Sequence, residues 1–320
     1  MRTLFTTDGS VDQADMADIE NCFAAARQDG FWLDIEAPNA DDYRLLTETF
    51  KFHQLAIEDV MHQNQRPKID EYPQYNFVVL FEAVWSGDDV QLLEHHLFVG
   101  PTYLVSVHLE PAAALAELKN RIANTPALTK GQPAFLTYLA IDALVDATFP
   151  ALDQLDDMVD ELEEKIITAA RPEILNRIYH LKHSVTELRK FLGAQRDAFQ
   201  RLVTHGIHLQ QEDMTLYYRD VYDHVVRQYE TVDSLRDLLT SAMDVYLSTV
   251  SNRVNETTKT LTVIASVFLP LSFLTGFYGM NFAYLTGVLE SPDPAFAVGI
   301  GTMLMAIAVQ VFFFRRRGWI

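Results

Sequence analysis

The sequence predicts an α+β membrane protein: an α/β domain at the N-terminal end, then a long helix that continues into the first of two membrane-spanning helices. Three observations carry this. Strand-like segments fall within about the first 145 residues. Helix-breaking residues are nearly absent from Thr215 to Gly279. Two long uncharged runs lie near the C-terminal end.

Taken in order, FWLDI (31–35), YNFVVLFEAVW (75–85), HHLFV (95–99) and YLVSV (103–107) are rich in aromatic and β-branched residues and read as strands. Gly100-Pro101-Thr102 joins the last two as a hairpin turn. Asn39 is placed to cap a helix carrying DDYRLLTETF, and HQLAIEDVMH reads as helix until Pro67. Helix–strand alternation followed by strand pairs indicates a mixed sheet. His95, His96 and His108 lack a spacing that fixes metal ligands on one face, so they read as ordinary sheet histidines.

After Ala134 the strands stop. Residues 135–167 read as helix, interrupted near Pro150, and Pro172 suits the first turn of a helix running to about residue 203. Asp153 to Glu164 contain seven acids and no base. Such a run is either a solvated helix face or a sleeve that concentrates cations, and the sequence leaves both readings open.

The stretch from Thr215 to Gly279 holds one proline, Pro270, and no glycine before Gly276. A continuous helix of about 65 residues would extend roughly 100 Å. Heptad steps from Asp220 pass through Asp223, Arg227, Glu230, Ser234, Asp237, Ser241 and Asp244. They continue through Ser248, Ser251, Asn255, Thr258, Thr262, Ala265, Leu269 and Ser272. An offset seam of Val232, Leu235, Leu239, Ala242 and Tyr246 is apolar. One stripe packs while its neighbour stays polar, and Thr258, Thr262 and Ser272 carry that polarity into the uncharged run. Polar groups at membrane depth face a partner helix or a water-filled path. Several copies around an axis would line an aqueous channel; close packing through small residues is the competing explanation.

The chain has 320 residues, more than one average domain, with 44 acids against 25 Lys and Arg and a formal charge of −19. Residues 261–320 contain two acids, Glu290 and Asp293, against Arg315, Arg316 and Arg317, so the acidity lies in the first 260 residues. That sign excludes a nucleic-acid partner, which needs a basic surface. The single cysteine, Cys22, excludes an intrachain disulfide. No charge occurs between Lys259 and Glu290 or from Pro294 to Phe314, and each run is long enough to cross a hydrocarbon core. Arg253 and Lys259 precede the first span and Arg315–Arg317 end the second, which places both termini in the cytoplasm. MRTLFTTDGS lacks the apolar centre of a signal peptide. The expected organisation is a cytoplasmic α/β domain at 1–145, a helical stalk region at 146–258 and a transmembrane domain at 259–320, with spans at about 259–280 and 294–314.

Tyr278-Gly279-Met280-Asn281-Phe282 follows LTVIASVFLPLSFLTGF, which is preceded by DVYLSTVSNRVNETTK, and the chain ends in FFFRRRGWI. With HQLAIEDVMHQNQRPKIDEYPQYNFVVL, these segments resemble the CorA family of divalent metal-ion transporters from about residue 50 to the C-terminus. The resemblance implies a homopentameric funnel in the inner (plasma) membrane, moving Mg²⁺, with Co²⁺ or Ni²⁺, without nucleotide hydrolysis or an organic cofactor. It places Asn281 on the hydrated ion at the outer mouth, shaped by Gly279 and Met280. Mg²⁺ gives up its waters reluctantly, so amide oxygens that bond to those waters suit it. The resemblance also puts pore positions at Asn255 and Ser272 and hydrophobic constrictions at Leu261 and Leu269. These lie on or one step beside the polar seam that contains Thr262. Regulatory Mg²⁺ between subunits is expected at Asp59 and Asp244, with a second cluster at Glu58, Asp142 and Asp220.

One departure concerns the loop. The acidic MPEL-type segment usual after GMN is replaced by AYLTGVLESPDPAF, which keeps a zinc-transporting, ZntB-like activity as the alternative. A membrane-anchored coiled-coil sensor or scaffold is the reading from another class; its seam should be apolar through the membrane. No Walker loop, GxSxG, HExxH or CxxC pair is present, so no enzyme activity is expected.

Overall fold

The computed structural model describes residues 1–6, 9–12, 14–25, 30–87, 89–125, 133–168, 171–207, 209, 214–280 and 292–319. The chain divides into two compact units, Met1–Met243 and Asp244–Ile320.

The first unit is built on a seven-stranded sheet of order β2-β1-β3-β7-β6-β5-β4. Its strands are β1 (Arg2–Thr6), β2 (Gly9–Asp12), β3 (Phe31–Glu36), β4 (Lys68–Glu71), β5 (Asn76–Ser86), β6 (Asp89–Val99) and β7 (Tyr103–His108). Only the central β3–β7 pairing is parallel, so the sheet is mixed as expected. Gly100 closes the β6–β7 hairpin: its N–H donates to the Tyr103 carbonyl at 2.9 Å. A Cβ at Gly100 would lie 2.3 Å from the Tyr103 ring, which only glycine avoids.

Alternate side chains serve two cores, one on each face of the sheet. Trp32, Leu80, Leu97 and Leu104 enter one, and Leu33, Phe77, Phe98 and Val105 enter the other. The first core is covered by α4 (Ala113–Asn124), α5 (Pro133–Asp146) and buried residues of the two longest helices. On the second face pack α1 (Met16–Ala25), α2 (Ala40–Arg44), a π-helical turn over Leu45–Thr49, and α3 (Gln54–Met61). Asn39 caps α2 through a capping box with Asp42. The DDYRLLTETF helix is thus α-helical only at its start, and its π turn buries both Leu45 and Leu46.

The remaining helices are α6 (Phe149–Thr168), α7 (Pro172–His205) and α8 (Thr215–Tyr278), with α9 (Pro292–Arg316) in the second unit. The acidic run of α6 lies mainly on its exposed side, while Leu152, Leu155, Val159 and Leu162 are buried. Among the described residues, three helical stretches are long and apolar enough to cross a membrane: Pro133–Thr168, Thr215–Tyr278 and Ala297–Arg316. The first has 56% of its apolar window buried inside the fold, against 0% and 6% for the others, so it is a core element of the first unit. Two spans therefore remain, as the charge pattern predicts.

Polar residues also enter both cores: Asp34, Glu82, His95, Ser106 and His108 share the face of Trp32 and Leu97, and Glu94 and His96 share the face of Phe98. Asp34 of β3 accepts hydrogen bonds from the Ser106 hydroxyl and from His108 Nε2 (3.2 Å), and it forms an ion pair with Lys119 of α4. Trp32 Nε1 donates to Ser106 Oγ at 2.8 Å. Burial opposes ionisation of Asp34, but the hydrogen bonds and charges of His108 and Lys119 overcome it and hold the carboxyl at about 2. His95 donates to Glu82 (3.1 Å) and His96 to Glu94 (2.8 Å), and burial pushes both imidazoles down, His96 to about 3. The three sheet histidines are thus each committed to one carboxylate.

Candidate functional site

In the second unit, three polar contacts among the described residues join α8, from Asp244 onward, to α9 and the turn that follows it. Lys259 Nζ donates to the Gly318 carbonyl at 3.1 Å, and Gln310 Nε2 donates to the Ser266 carbonyl at 2.7 Å. Near the other end, Tyr278 Oη lies 3.3 Å from Thr302 Oγ1. Lys259, Val263, Ser266, Pro270, Leu274 and Tyr278 form the half-buried stripe of α8. Asn255, Thr258, Leu261, Thr262, Leu269 and Ser272 are all exposed. At about 100° per residue this second set is centred roughly 130° around the helix from the first. Every heptad position from Asp220 to Ser272 in the polar seam is exposed, whereas Val232, Leu235, Leu239, Ala242 and Tyr246 are buried.

The chemistry of the exposed stripe follows from its local hydrogen bonds. Thr262 Oγ1 donates back to the Thr258 carbonyl at 2.8 Å. A hydroxyl whose proton is committed to the backbone presents lone pairs outward, as an acceptor for water or a cation. Beyond the last turn, Gly279 N–H donates to the Thr275 carbonyl (3.0 Å) and Met280 N–H to the Phe277 carbonyl (3.2 Å). A Cβ at Gly279 would approach the Thr275 carbonyl oxygen to 3.2 Å, tighter than an ordinary contact. Asn281, Tyr284 and Glu290 lie outside the described residues.

Asp59 of α3 pairs with Lys68 Nζ at 2.8 Å, and the same ammonium binds Asp70 at 2.7 Å. Burial opposes the Lys68 charge, but these two carboxylates outweigh it and raise its pKa. Glu58 and Asp244 are exposed.

Asp142 has company that the sequence reading did not assign. Ligand atoms of Asp142, Asp146 and His224 lie within 4.8 Å of one another, and His224 Nδ1 donates to Asp146 Oδ1 at 2.7 Å. Asp142 Oδ1 is buried with no hydrogen-bond partner among the described residues. Asp142 and Asp146 also line a cavity of about 490 Å³, with Glu82, Glu117 and Arg121 among its other walls. The signal for the two missed residues was i,i+4 spacing: Asp146 follows Asp142 on α5, and His224 follows Asp220 on α8.

Burial first, then the charges of Asp146 and Asp220, push the Asp142 carboxyl up to about 6, against the pull of His224 and Arg121. A carboxyl raised on folding destabilises the folded state while ionised, above about pH 6, and the burden lifts as pH falls toward its unfolded value. After allowance for solvent screening this amounts to about 1 kcal/mol. Asp142→Asn should therefore raise the thermal unfolding midpoint at pH 7.5 by about 2–4 °C in chelator. The gain should fall to about half at pH 5 and largely vanish below about pH 4, and an equal gain at pH 7.5 and at pH 4 would contradict it.

The fold and these surfaces define a class: a two-span membrane protein with a mixed-sheet domain and a polar, acceptor-bearing face on its first span. The chain belongs to the CorA-like Mg²⁺ transporter family, whose family model matches residues 27–316. This is a family of transporters rather than enzymes. The cobalt/magnesium transport protein CorA of Thermotoga maritima is 31% identical over 293 residues, covering 90% of this chain and 83% of that protein. The CorA magnesium transporter of Methanocaldococcus jannaschii shares the fold, with a TM-score of 0.83 at 22% identity over 100% of this chain and 99% of that one. The zinc transport protein ZntB of Yersinia enterocolitica is 22% identical over 282 residues, 88% of this chain and 84% of that protein.

Proposed function

We propose that the chain assembles as a homopentamer in the inner (plasma) membrane and passes divalent cations, Mg²⁺ first and Co²⁺ or Ni²⁺ with it. Residues 1–145 form its cytoplasmic α/β domain, 146–258 its stalk region and 259–320 its membrane domain, with both termini cytoplasmic. The hydrated ion is selected at Gly279, Met280 and Asn281. It then passes Ser272, Leu269, Thr262, Leu261 and Asn255, with the leucine rings closing the path by dewetting. The observation that carries this reading is the continuous exposed seam of α8, which α9 leaves uncovered and whose Thr262 hydroxyl turns its lone pairs outward. A coiled-coil scaffold has no need of such a face at membrane depth.

Internal Mg²⁺ gates the path in this reading. Carboxylates at subunit boundaries repel one another unless a divalent ion intervenes, so ion loss loosens the assembly. Asp59 and Asp244 hold one such ion, and Glu58, Asp142 and Asp220 a second. Asp59→Ala/Asp244→Ala should abolish most of the inhibition of uptake by Mg²⁺ loaded inside vesicles. Unchanged inhibition would defeat the assignment.

A zinc-transporting alternative has one observation in its favour. The Asp142–Asp146–His224 cluster offers an imidazole, which suits Zn²⁺, Co²⁺ or Ni²⁺ better than Mg²⁺. Uptake of Mg²⁺, Zn²⁺, Co²⁺ and Ni²⁺ compared in the same proteoliposomes separates the readings. Mg²⁺ should enter fastest, and Zn²⁺ uptake without Mg²⁺ uptake would establish the alternative.

A further inference from the structure

Pro270 lies inside α8, eight residues before its end at Tyr278. Without an N–H it cannot donate to the carbonyl four residues earlier, that of Ser266. This orphaned acceptor falls within the uncharged run, where unsatisfied backbone groups are costly. The second span carries a complementary anomaly. From Pro294 to Phe314 its only polar side chains are Thr302 and Gln310, and a primary amide in such a run is costly unless it is paired. The two meet: Gln310 Nε2 donates to the Ser266 carbonyl at 2.7 Å.

This amide-to-carbonyl contact differs from the hydroxyl tie between the spans. Thr302 Oγ1 already donates to the Val298 and Gly299 carbonyls, so its approach to Tyr278 replaces nothing that the backbone lacks. The Ser266 hydroxyl points back to Thr262 and Val263, at 2.8 and 3.1 Å, and leaves its own carbonyl to Gln310. Ser266 sits on the half-buried stripe, and the adjoining residues Leu269 and Ser272 face away from it on the exposed one.

We infer that Gln310 is a positioning residue for conduction: its side-chain amide takes the place of the backbone N–H missing at Pro270 and fixes the rotation of the first span beside Leu269 and Ser272. The effect on conduction rests on the path proposed above, whereas the amide-for-backbone substitution does not. Each subunit would thus use its second span as a strut for its own pore helix, and a first span that keeps Pro270 but loses the strut would let the Leu269 ring drift from register.

A double-mutant cycle with Gln310→Met and Pro270→Ala tests this, because alanine restores the N–H that reaches Ser266. Two readouts are taken on the full-length protein: Mg²⁺ uptake by proteoliposomes, and the thermal unfolding midpoint in detergent. In the wild-type background, Gln310→Met should lower uptake by about fivefold, the worth of one ordinary hydrogen bond, and lower the midpoint. In the Pro270→Ala background the same change should alter uptake by less than about twofold and leave the midpoint unmoved. Equal losses in both backgrounds, or no loss in the first, would overturn the inference. If Gln310→Met alone fails to assemble, assembly of the double variant supports the inference and its equal failure overturns it. Should the wild type show no uptake, the conduction reading falls while the unfolding cycle still decides the role of Gln310.

Discussion

Asn281→Ala should reduce Mg²⁺ uptake into proteoliposomes by about 100-fold, the equivalent of about 2.7 kcal/mol. The magnitude follows from how a small, strongly hydrated ion is recognised. Mg²⁺ keeps its waters, so a selective mouth must bond to those waters rather than replace them. An amide oxygen accepts from a water polarised by the ion, and such charge-assisted hydrogen bonds are about twice as strong as neutral ones. In the proposed pentamer, a ring of five would lose all of them at once when alanine replaces asparagine. Asn281→Asp should behave differently: a carboxylate ring binds the ion more tightly and releases it more slowly, so uptake saturates at lower Mg²⁺ with a reduced maximum. Uptake by Asn281→Ala within threefold of wild type would remove Asn281 from the selectivity assignment.

Asp34→Ala should lower the thermal unfolding midpoint by about 10 °C, from a loss of about 3–5 kcal/mol. Asp34 is 1% exposed and holds Ser106, His108 and Lys119 together beneath the first core. Its removal strands Lys119, which is 17% exposed at the side chain, and deprives His108 of the carboxylate that overcomes its burial and raises its pKa. The sign with pH is fixed by the same network. Because the Asp34 pKa is depressed to about 2, its stabilisation is complete above the unfolded carboxyl value near 4 and is lost as pH falls through about 2. Because the His108 pKa is raised, its share is present below the unfolded value near 6.5 and fades as pH rises through the folded one. A midpoint within 2 °C of wild type at pH 6 would show that the network contributes little.

Much of the fold was legible because its central elements obey strong local patterns. β3, β5, β7 and the last third of β6 carry apolar β-branched or aromatic residues on both faces, as strands covered on both sides tend to. Pro172 opens α7, and the scarcity of Gly and Pro marks α8 over its 64 residues. The missed strands lie toward the sheet edges, where one neighbour is absent and burial is incomplete. β4 reads KIDE, with no residue fully buried, and carries the charges that protect an edge strand from unwanted pairing. β1 and β2 are short strands at the other side of the same sheet.

The site was legible to the extent that chemistry repeats along one helix. The polar seam of α8 could be read by stepping threes and fours, and it is exposed throughout. Groups brought together by tertiary packing could not be read that way. Asp146 and His224 are separated by 78 residues, and Ser266 and Gln310 by 44. Each of these residues looks ordinary until its neighbour across the helix–helix contact is known. Asp34 is similar: a lone acid in FWLDI becomes intelligible only when β7 brings His108 and α4 brings Lys119.

The central claim is that divalent ions travel along the exposed face of α8. The most direct measurement introduces single cysteines in a Cys22→Ser background and follows Mg²⁺ uptake during treatment with a membrane-impermeant, positively charged thiol reagent. Thr262→Cys and Ser272→Cys should lose most of their uptake on modification, with Mg²⁺ in the path slowing the reaction. Val263→Cys, on the half-buried stripe against α9, should retain it. Block at Val263→Cys with no effect at Thr262→Cys or Ser272→Cys would place the path elsewhere and contradict the account.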